Sequence, residues 1–542
     1  MIKQRTTVMI AIMLMFSILS GFVTAEQTVA ASANDDGRAN GEATVENLIE
    51  MIEQFEADGN ITSEPIARSL KNHVQGLAHY FNQGNYEKAS NHIDGFIDLL
   101  EQLHAMDIVS ETAKEQLGTY ATSLKQNWTM TFDSNRVMAT LKDLSVHIGP
   151  RVAGADGEKE AANYLKGRFE EYGYDVTLQE FPIRDQLRTK LTVNDDFAPA
   201  LGTAVGAAET SEDGVTANVV AAGEGTEEEF PENTEGNIVL IERGNISFAD
   251  KVKNAQQKGA VGVLIYDNAE SLMPVRPSLG GEQIDIPVVG LMKADGEAIL
   301  EKLQQNDDVQ ANLYVRTETE LTSQNVVAVK KPENIENPEI VYITAHYDSV
   351  PFSPGANDDG TGTSAIVEIA RILKDMPTDK EIRVIAFGAE EIGLVGSRYY
   401  VDNLSADEIS RSAINFQLEM LAAKYEPGGY FAVNTVDGQP NIIWDYINNT
   451  FDKFEHDKDK LILFRRGQSD HVPFHEAGII AACFNMGTAS GGLEPEYHTS
   501  FDTFDNVSQE RIDYAGTIIT DAILQYFTEH GSLGGEALDD AS

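Results

Sequence analysis

Apolar positions change their spacing several times along the chain, and each change predicts a different kind of element. Val8 to Leu19 is almost unbroken apolar sequence, with Lys3 and Arg5 ahead of it and Val23-Thr24-Ala25 behind. Positive charge, a short apolar run and small residues, in that order, predict a cleaved signal peptide over 1–25. The run ends by Val23, short of the roughly 20 residues a membrane-spanning helix needs. No Cys follows it, which argues against a lipid anchor. Residues 26–41 read as a polar linker. Beyond them Val45, Leu48, Ile49, Ile52 and Phe55 recur at helical spacing. So do Ile66, Leu70, Val74, Leu77 and Tyr80, and then Ala89, Ile93, Phe96, Ile97 and Leu100. Gly59 and Gly84 break the runs, and a fourth helix is expected over 111–124. Short links between amphipathic helices predict a small bundle over 42–128.

From Ser134 the texture changes. Ala161, Ala162, Leu165 and Phe169 mark one helix face, and a strand is expected over 176–181. Strands are expected again at 326–329, 340–344, 382–387, 413–418, 430–434 and 479–484, with helices at 363–374 and 508–527. Strands alternating with helices predict an α/β fold, a sheet covered on both faces. Its two parts are expected at 133–190 and 319–529, followed by an acidic tail over 530–542. Between them, 191–318 reads as an insert rich in Gly, Glu and short strands. There Ile238 to Ile241, a helix with Val252 and Ala255, then Val261 to Tyr266 and Ile286 to Val289 follow one another.

Composition narrows the functional classes. The 542 residues suggest about three domains. Asp and Glu number 87 against 40 Lys and Arg, a formal charge of −47. That excludes nucleic acid as a partner, because phosphate binding needs basic surface, and it disfavours anionic membranes. So negative a surface suits high salt, where screening is strong. The single cysteine, Cys483, cannot form an internal disulfide and sits in a strand-like apolar run, as an inert buried thiol would.

The chemistry gathers where strands end. His346-Tyr347-Asp348 closes the apolar run Ile340 to Thr344, and open α/β sheets place ligands at carboxyl ends of strands. Residues i and i+2 of a strand share a face, so Asp348 is expected to accept a hydrogen bond from His346 and fix its tautomer. Asp358 follows in Gly355-Ala356-Asn357-Asp358-Asp359-Gly360, a loop whose glycines allow a tight turn. Glu390 and Glu391 follow the next strand, Glu419 the one after, and His498 lies in Tyr497-His498-Thr499. Singly, each motif reads as a solvated turn, and Asn-Asp-Asp-Gly also as a calcium loop. Together, two histidines and several carboxylates at one sheet edge suit Zn²⁺, with enough ligands for two ions.

Three stretches resemble known families. The N-terminal helices resemble the FIMAH-type helical module, and the insert resembles a protease-associated (PA) domain, with Ile246 where such domains often carry Cys. Ser134 to Phe527 without the insert resembles a secreted dizinc aminopeptidase of peptidase family M28. The matching motifs are His346-x-Asp348, Asn357-Asp358-Asp359-Gly360, Gly388-Ala389-Glu390-Glu391-x-Gly393-Leu394 and Tyr497-His498-Thr499. The resemblance implies a mixed sheet of the zinc exopeptidase fold. It implies that His346 and Glu419 bind one zinc, Glu391 and His498 the other, and that Asp358 bridges. It implies Glu390 as general base, Tyr497 as hydrogen-bond donor to the oxyanion, a place for Ser469-Asp470-His471 near the substrate pocket, and a cis bond between Asp358 and Asp359. At Glu419 the family usually has Asp, and the extra methylene changes the ligand's reach.

The function expected from these residues is a secreted, extracellular metallo-aminopeptidase. It would hydrolyse N-terminal residues from peptides and proteins through water activated by two zinc ions, with Glu390 taking the proton. A carboxypeptidase or amidohydrolase on the same fold would need a cationic clamp, for which Arg465 and Arg466 are candidates. A catalytically dead binding protein would lack a full ligand set. No stable membrane insertion is expected once the signal is cleaved, and the partners of the PA and helical modules are left open.

Overall fold

The computed structural model describes residues 44–82, 86–194, 197–305 and 308–530. The expected signal peptide, the linker over 26–41 and the tail after His530 lie outside the described residues.

Four helices come first, Val45–Ala57, Glu64–Asn82, Tyr86–Ala105 and Glu111–Thr129. Thr44 caps the first, its hydroxyl accepting the Asn47 N–H at 3.1 Å. The apolar stripes close on one another, and Leu48, Ile52, Leu70, Val74, Ile93, Phe96, Leu117 and Leu124 form a buried core of their own.

The strands are β1 (Asp175–Pro182), β2 (Gln186–Val193), β3 (Gly202–Thr203), β4 (Val215–Ala221), β5 (Ile238–Glu242), β6 (Gly262–Tyr266), β7 (Val288–Leu291) and β8 (Gln310–Glu318). They continue with β9 (Thr322–Lys330), β10 (Ile340–His346), β11 (Glu381–Phe387), β12 (Ser412–Leu418), β13 (Tyr430–Thr435), β14 (Leu461–Arg465) and β15 (Ile480–Gly487). An eight-stranded mixed sheet runs β1-β9-β11-β10-β12-β15-β13-β14. Its centre, β11-β10-β12-β15, is parallel, and β1, β9 and β13 pair antiparallel beside it.

Central strands buried on both faces are apolar along most of their length. Val341, Ile343 and Ala345 face a core shared with the helices Ser134–Lys142, Asp156–Glu171, Gly362–Leu373, Ile442–Lys453 and Gln509–His530. Ile340 and Tyr342 face the other side, packing with Tyr400 and Val401 of the helix Val395–Asp402 and with Phe474. Cys483 is buried in β15, as expected.

The insert forms a second, seven-stranded sheet, β2-β8-β4-β5-β6-β7-β3. β2 pairs with β8 along its whole length, from Gln186↔Glu318 to Val193↔Ala311. The sheet therefore takes in residues 186–190, ahead of the insert boundary expected at 191. Gln-Leu-Arg-Thr-Lys-Leu is an edge strand, too polar to announce a change of sheet.

Candidate metal centre

Parallel pairing decides which residues meet. β10 lies between β11 and β12, with His346 opposite Phe387 and Thr344 opposite Gln417. The residues that follow, Gly388–Glu391 after β11 and Glu419 after β12, therefore emerge at the edge that carries His346. The chain turns back to that edge at Gly355 (φ 56°), where a Cβ would lie 2.6 Å from the Asp358 carbonyl. A Cβ at Gly388 would lie 2.6 Å from Ser323 Oγ, so only glycine lets the Glu390 loop pass.

Asp358 stands at the middle. Its Oδ1 lies 3.3 Å from His346 Nε2 and its Oδ2 3.1 Å from His498 Nε2. Glu391 Oε2 lies 3.0 Å from the same His498 nitrogen, and Glu390 Oε2 is 4.0 Å from His346 Nε2. The Tyr497 ring stacks on His498 with centroids 3.8 Å apart. Two overlapping groups have ligand atoms within 4.8 Å of one another, His346–Asp358–Glu419 and Asp358–Glu391–His498. All five expected ligands are thus brought together, with Asp358 common to both groups.

The electrostatics ask for positive charge. Burial, then the Asp358 carboxylate, pushes Glu391 up to about 7. Burial also raises Glu390 well above the carboxylate range, opposed by His346 and reinforced by Asp470. Burial works against a His498 cation, but the Asp358 and Glu391 carboxylates outweigh it and carry the imidazole up to about 10. Neither ring nitrogen of His346 nor Oε1 of Glu391 makes a hydrogen bond, although all three atoms are buried. Buried acceptors without donors fit a cation, and imidazole with carboxylate oxygen fits zinc.

Supporting contacts orient the set. Met420 N–H donates to Asp359 Oδ1 at 2.9 Å, Leu421 N–H to Thr361 Oγ1 at 2.9 Å and Ala422 N–H to Asn357 Oδ1 at 2.9 Å. The Asp358 loop thereby holds the backbone following Glu419. Gln417 Nε2 lies 3.3 Å and Cys483 Sγ 3.6 Å from Glu419 Oε2. The Asp358–Asp359 peptide is cis.

Asp348 stands beside His346 as expected, in a buried pair rather than a well-formed hydrogen bond. β10 ends at His346, and Asp348 Oδ1 is 3.5 Å from His346 Nδ1. Its carboxylate also accepts the N–H groups of Glu390 (3.0 Å) and Glu391 (3.2 Å). Two further buried charges were not legible as site residues. Arg151 donates to the carbonyls of Tyr347, Pro354 and Gly355, tying down the chain between β10 and Asp358. Glu158 accepts from Ser323 Oγ and Gly154 N–H at 2.6 Å each, and burial raises it to about 8. Neither stands out in the sequence: Arg151 lies in a loop of glycines and small residues, and Glu158 among other charged residues at the start of a helix.

Comparison with known proteins agrees with this geometry. Residues 325–523 match Peptidase family M28, 215–299 a PA domain and 45–126 a FIMAH domain. The chain is 45% identical over 396 residues to aminopeptidase YwaD of Bacillus subtilis, covering 73% of this chain and 85% of that protein. It is 28% identical to leucine aminopeptidase 2 of Arthroderma otae, over 69% of this chain and 79% of the relative. The solved structure of BSAP, a zinc aminopeptidase from Bacillus subtilis, superposes with a TM-score of 0.54 at 44% identity, covering 73% of this chain and 95% of that one.

Proposed function

The chain belongs to peptidase family M28, and from that premise we propose that it works as an aminopeptidase with two zinc ions and Glu390 as general base. Its activity is that of an aminopeptidase, and zinc is the metal named for its structural relative. The observation that carries the two-ion reading is the Asp358 carboxylate, which offers one oxygen toward each histidine. His346 and Glu419 would hold one ion, Glu391 and His498 the other, with Asp358 shared. Zinc bound there supplies Lewis-acid polarisation of a substrate carbonyl and a lowered pKa for water.

The protein's own groups do the rest. Glu390 takes the proton of the attacking water and returns it to the leaving amine. Asp348 aims Glu390 and Glu391 by holding their backbone N–H groups. Burial, then the charges of Asp358 and Glu391, keeps the Tyr497 phenol protonated, so it can donate to a developing oxyanion. The excess of buried carboxylates favours a substrate's free α-ammonium. Of the cations suggested for a carboxypeptidase clamp, Arg466 donates to the Gly491 carbonyl and Arg465 is exposed.

We expect purified protein to carry two zinc ions per chain and to hydrolyse aminoacyl-anilides but not N-acyl amino acids. A chelator should abolish that activity and zinc should restore it. Preference for N-acyl amino acids would overturn the aminopeptidase reading, and a single zinc at full activity the two-ion one. Export is proposed from the N-terminal pattern alone. N-terminal sequencing of protein from culture medium should begin after residue 25. Among the described residues, no helix is long and apolar enough to cross a membrane.

A further inference from the structure

His498 and Tyr497 lie in the long connection from β15 to the last helix and, unlike His346, Glu390, Glu391 and Glu419, do not follow from the end of a strand. Something other than the sheet must fix them. His498 also adopts φ 60°, in the left-handed region that non-glycine residues seldom enter.

Two buried carboxylates bracket this segment. On its N-terminal side, Glu494 Oε1 accepts the side-chain N–H of Asn357 at 2.6 Å. On its C-terminal side, Asp502 Oδ1 accepts the Asn357 backbone N–H at 2.7 Å and Oδ2 the Asp358 N–H at 3.0 Å. The Asp502 carbonyl also accepts the Ala356 N–H at 3.2 Å. Glu494 is 7% exposed and Asp502 2%, so neither acceptor has water as a ready substitute. Every one of these bonds lands on residues 356–358, the turn that carries the shared ligand Asp358. Between the two anchors Thr499 tightens the segment, donating to the Glu496 carbonyl at 2.7 Å and accepting the Phe501 N–H at 3.1 Å.

We propose that residues 494–502 form a strap, that Glu494 and Asp502 are its two anchors, and that as positioning residues they set His498 and Tyr497 against Asp358. The inference rests on the two-zinc reading for its consequence, though the strap itself is independent of it. The anchors bear directly on the Asp358–Glu391–His498 group, through the strap that carries His498, and reach His346–Asp358–Glu419 only through the shared Asp358. Loosening an anchor therefore weakens the His498 position more than the His346 position. Glutamine keeps the acceptor that Glu494 uses. Asparagine keeps only one of the two that Asp502 uses, so the two conservative changes differ in outcome.

The test is Zn²⁺ titration of the metal-freed full-length protein against a competing chelator, for wild type, Glu494→Gln, Glu494→Ala, Asp502→Asn and Asp502→Ala. Loss of outer-shell support typically costs about 10–100-fold in metal affinity. We expect a loss of that size at one zinc position in both alanine variants, with a clearly smaller loss at the other. Glu494→Gln should stay within about threefold of wild type by the same scale, and Asp502→Asn should fall between. Hydrogen exchange of the 494–502 amides in metal-free protein reads the strap without zinc. It should speed up in the alanine variants and not in Glu494→Gln. If Asp502→Ala does not fold, Asp502→Asn carries that arm. Wild-type affinity and exchange in the alanine variants would overturn the proposal. Equal losses at both zinc positions would overturn it too, as would equal losses in Glu494→Gln and Glu494→Ala. Fewer than two zinc ions in wild type, with exchange behaving as expected, would sink the two-zinc reading and leave the strap standing.

Discussion

The two sheets of this protein share a topological device and use it differently. In each, parallel strands deliver their carboxyl ends to one edge, where loops carry polar groups. At the insert's edge, Glu242 Oε2 lies 3.3 Å from the Tyr266 hydroxyl, and Arg243 meets both oxygens of Asp267 at 3.2 Å. Glu242, Arg243 and Asp267 thus have answering partners, although Asp295 Oδ2, just beyond β7, is buried without a hydrogen bond. At the edge of the eight-stranded sheet, carboxylates outnumber cations, and buried atoms of His346 and Glu391 make no hydrogen bond. Among the described residues, both groups able to hold a metal lie at this second edge. Topology provides a place for a ligand, and uncompensated charge with imidazole makes the place a site.

The sharpest break of that comparison is Glu390→Gln, which keeps shape and removes the proposed base. Turnover should fall by about 10²–10⁴-fold, the usual range for general-base catalysis, while zinc stays bound. Steady-state kinetics beside metal analysis reads both, and near-normal turnover with zinc retained would assign the base to another group.

A smaller effect comes from removing one carboxylate at each edge. Glu419→Ala should lower zinc from two ions to one and remove most activity, at least the roughly 10–100-fold seen when metal-ligand support is lost. Glu242→Gln, at the matching place on the insert's sheet, should change neither. Unchanged zinc and full activity in Glu419→Ala would remove Glu419 from the ligand set.

The smallest effect concerns stability away from the metal. Glu408 completes a capping box with Ser405 and pairs with Arg383 at 2.8 Å. Burial acts to raise its pKa, but the Ser405 N–H and the Arg383 guanidinium outweigh it and bring Glu408 down to about 2. A depressed carboxylate stabilises the fold above its unfolded pKa, near 4.5, and that stability is lost as pH falls through the folded value. The melting-temperature difference between wild type and Glu408→Gln should therefore be full near neutrality and shrink steadily from about pH 5 toward pH 2. A difference independent of pH would show that the ion pair contributes nothing.

Much of this protein is local, and so was legible in the sequence. The stripe from Val45 to Phe55 is a helix because apolar side chains at that spacing share one face. Ile340 to Ala345 is a central strand because every residue is buried. The ligand types were legible too, since metal chemistry restricts them to a few residues and the motifs bear those residues in order. Sequence spacing could not tell which of them would touch. That Asp358 reaches His498, 140 positions along the chain, with Oδ2 at 3.1 Å follows from the order β11-β10-β12-β15 and from the loop beyond β15. Asp348 shows the limit clearly. Alternation along a strand placed it beside His346, where it lies, but not its bonds to the N–H groups of Glu390 and Glu391, which come from the next loop. Arg151, Glu494 and Asp502 carry no signature, because a buried charge is defined by what surrounds it. A hydrogen bond depends on angstrom-scale placement of both partners, and only the folded chain sets that.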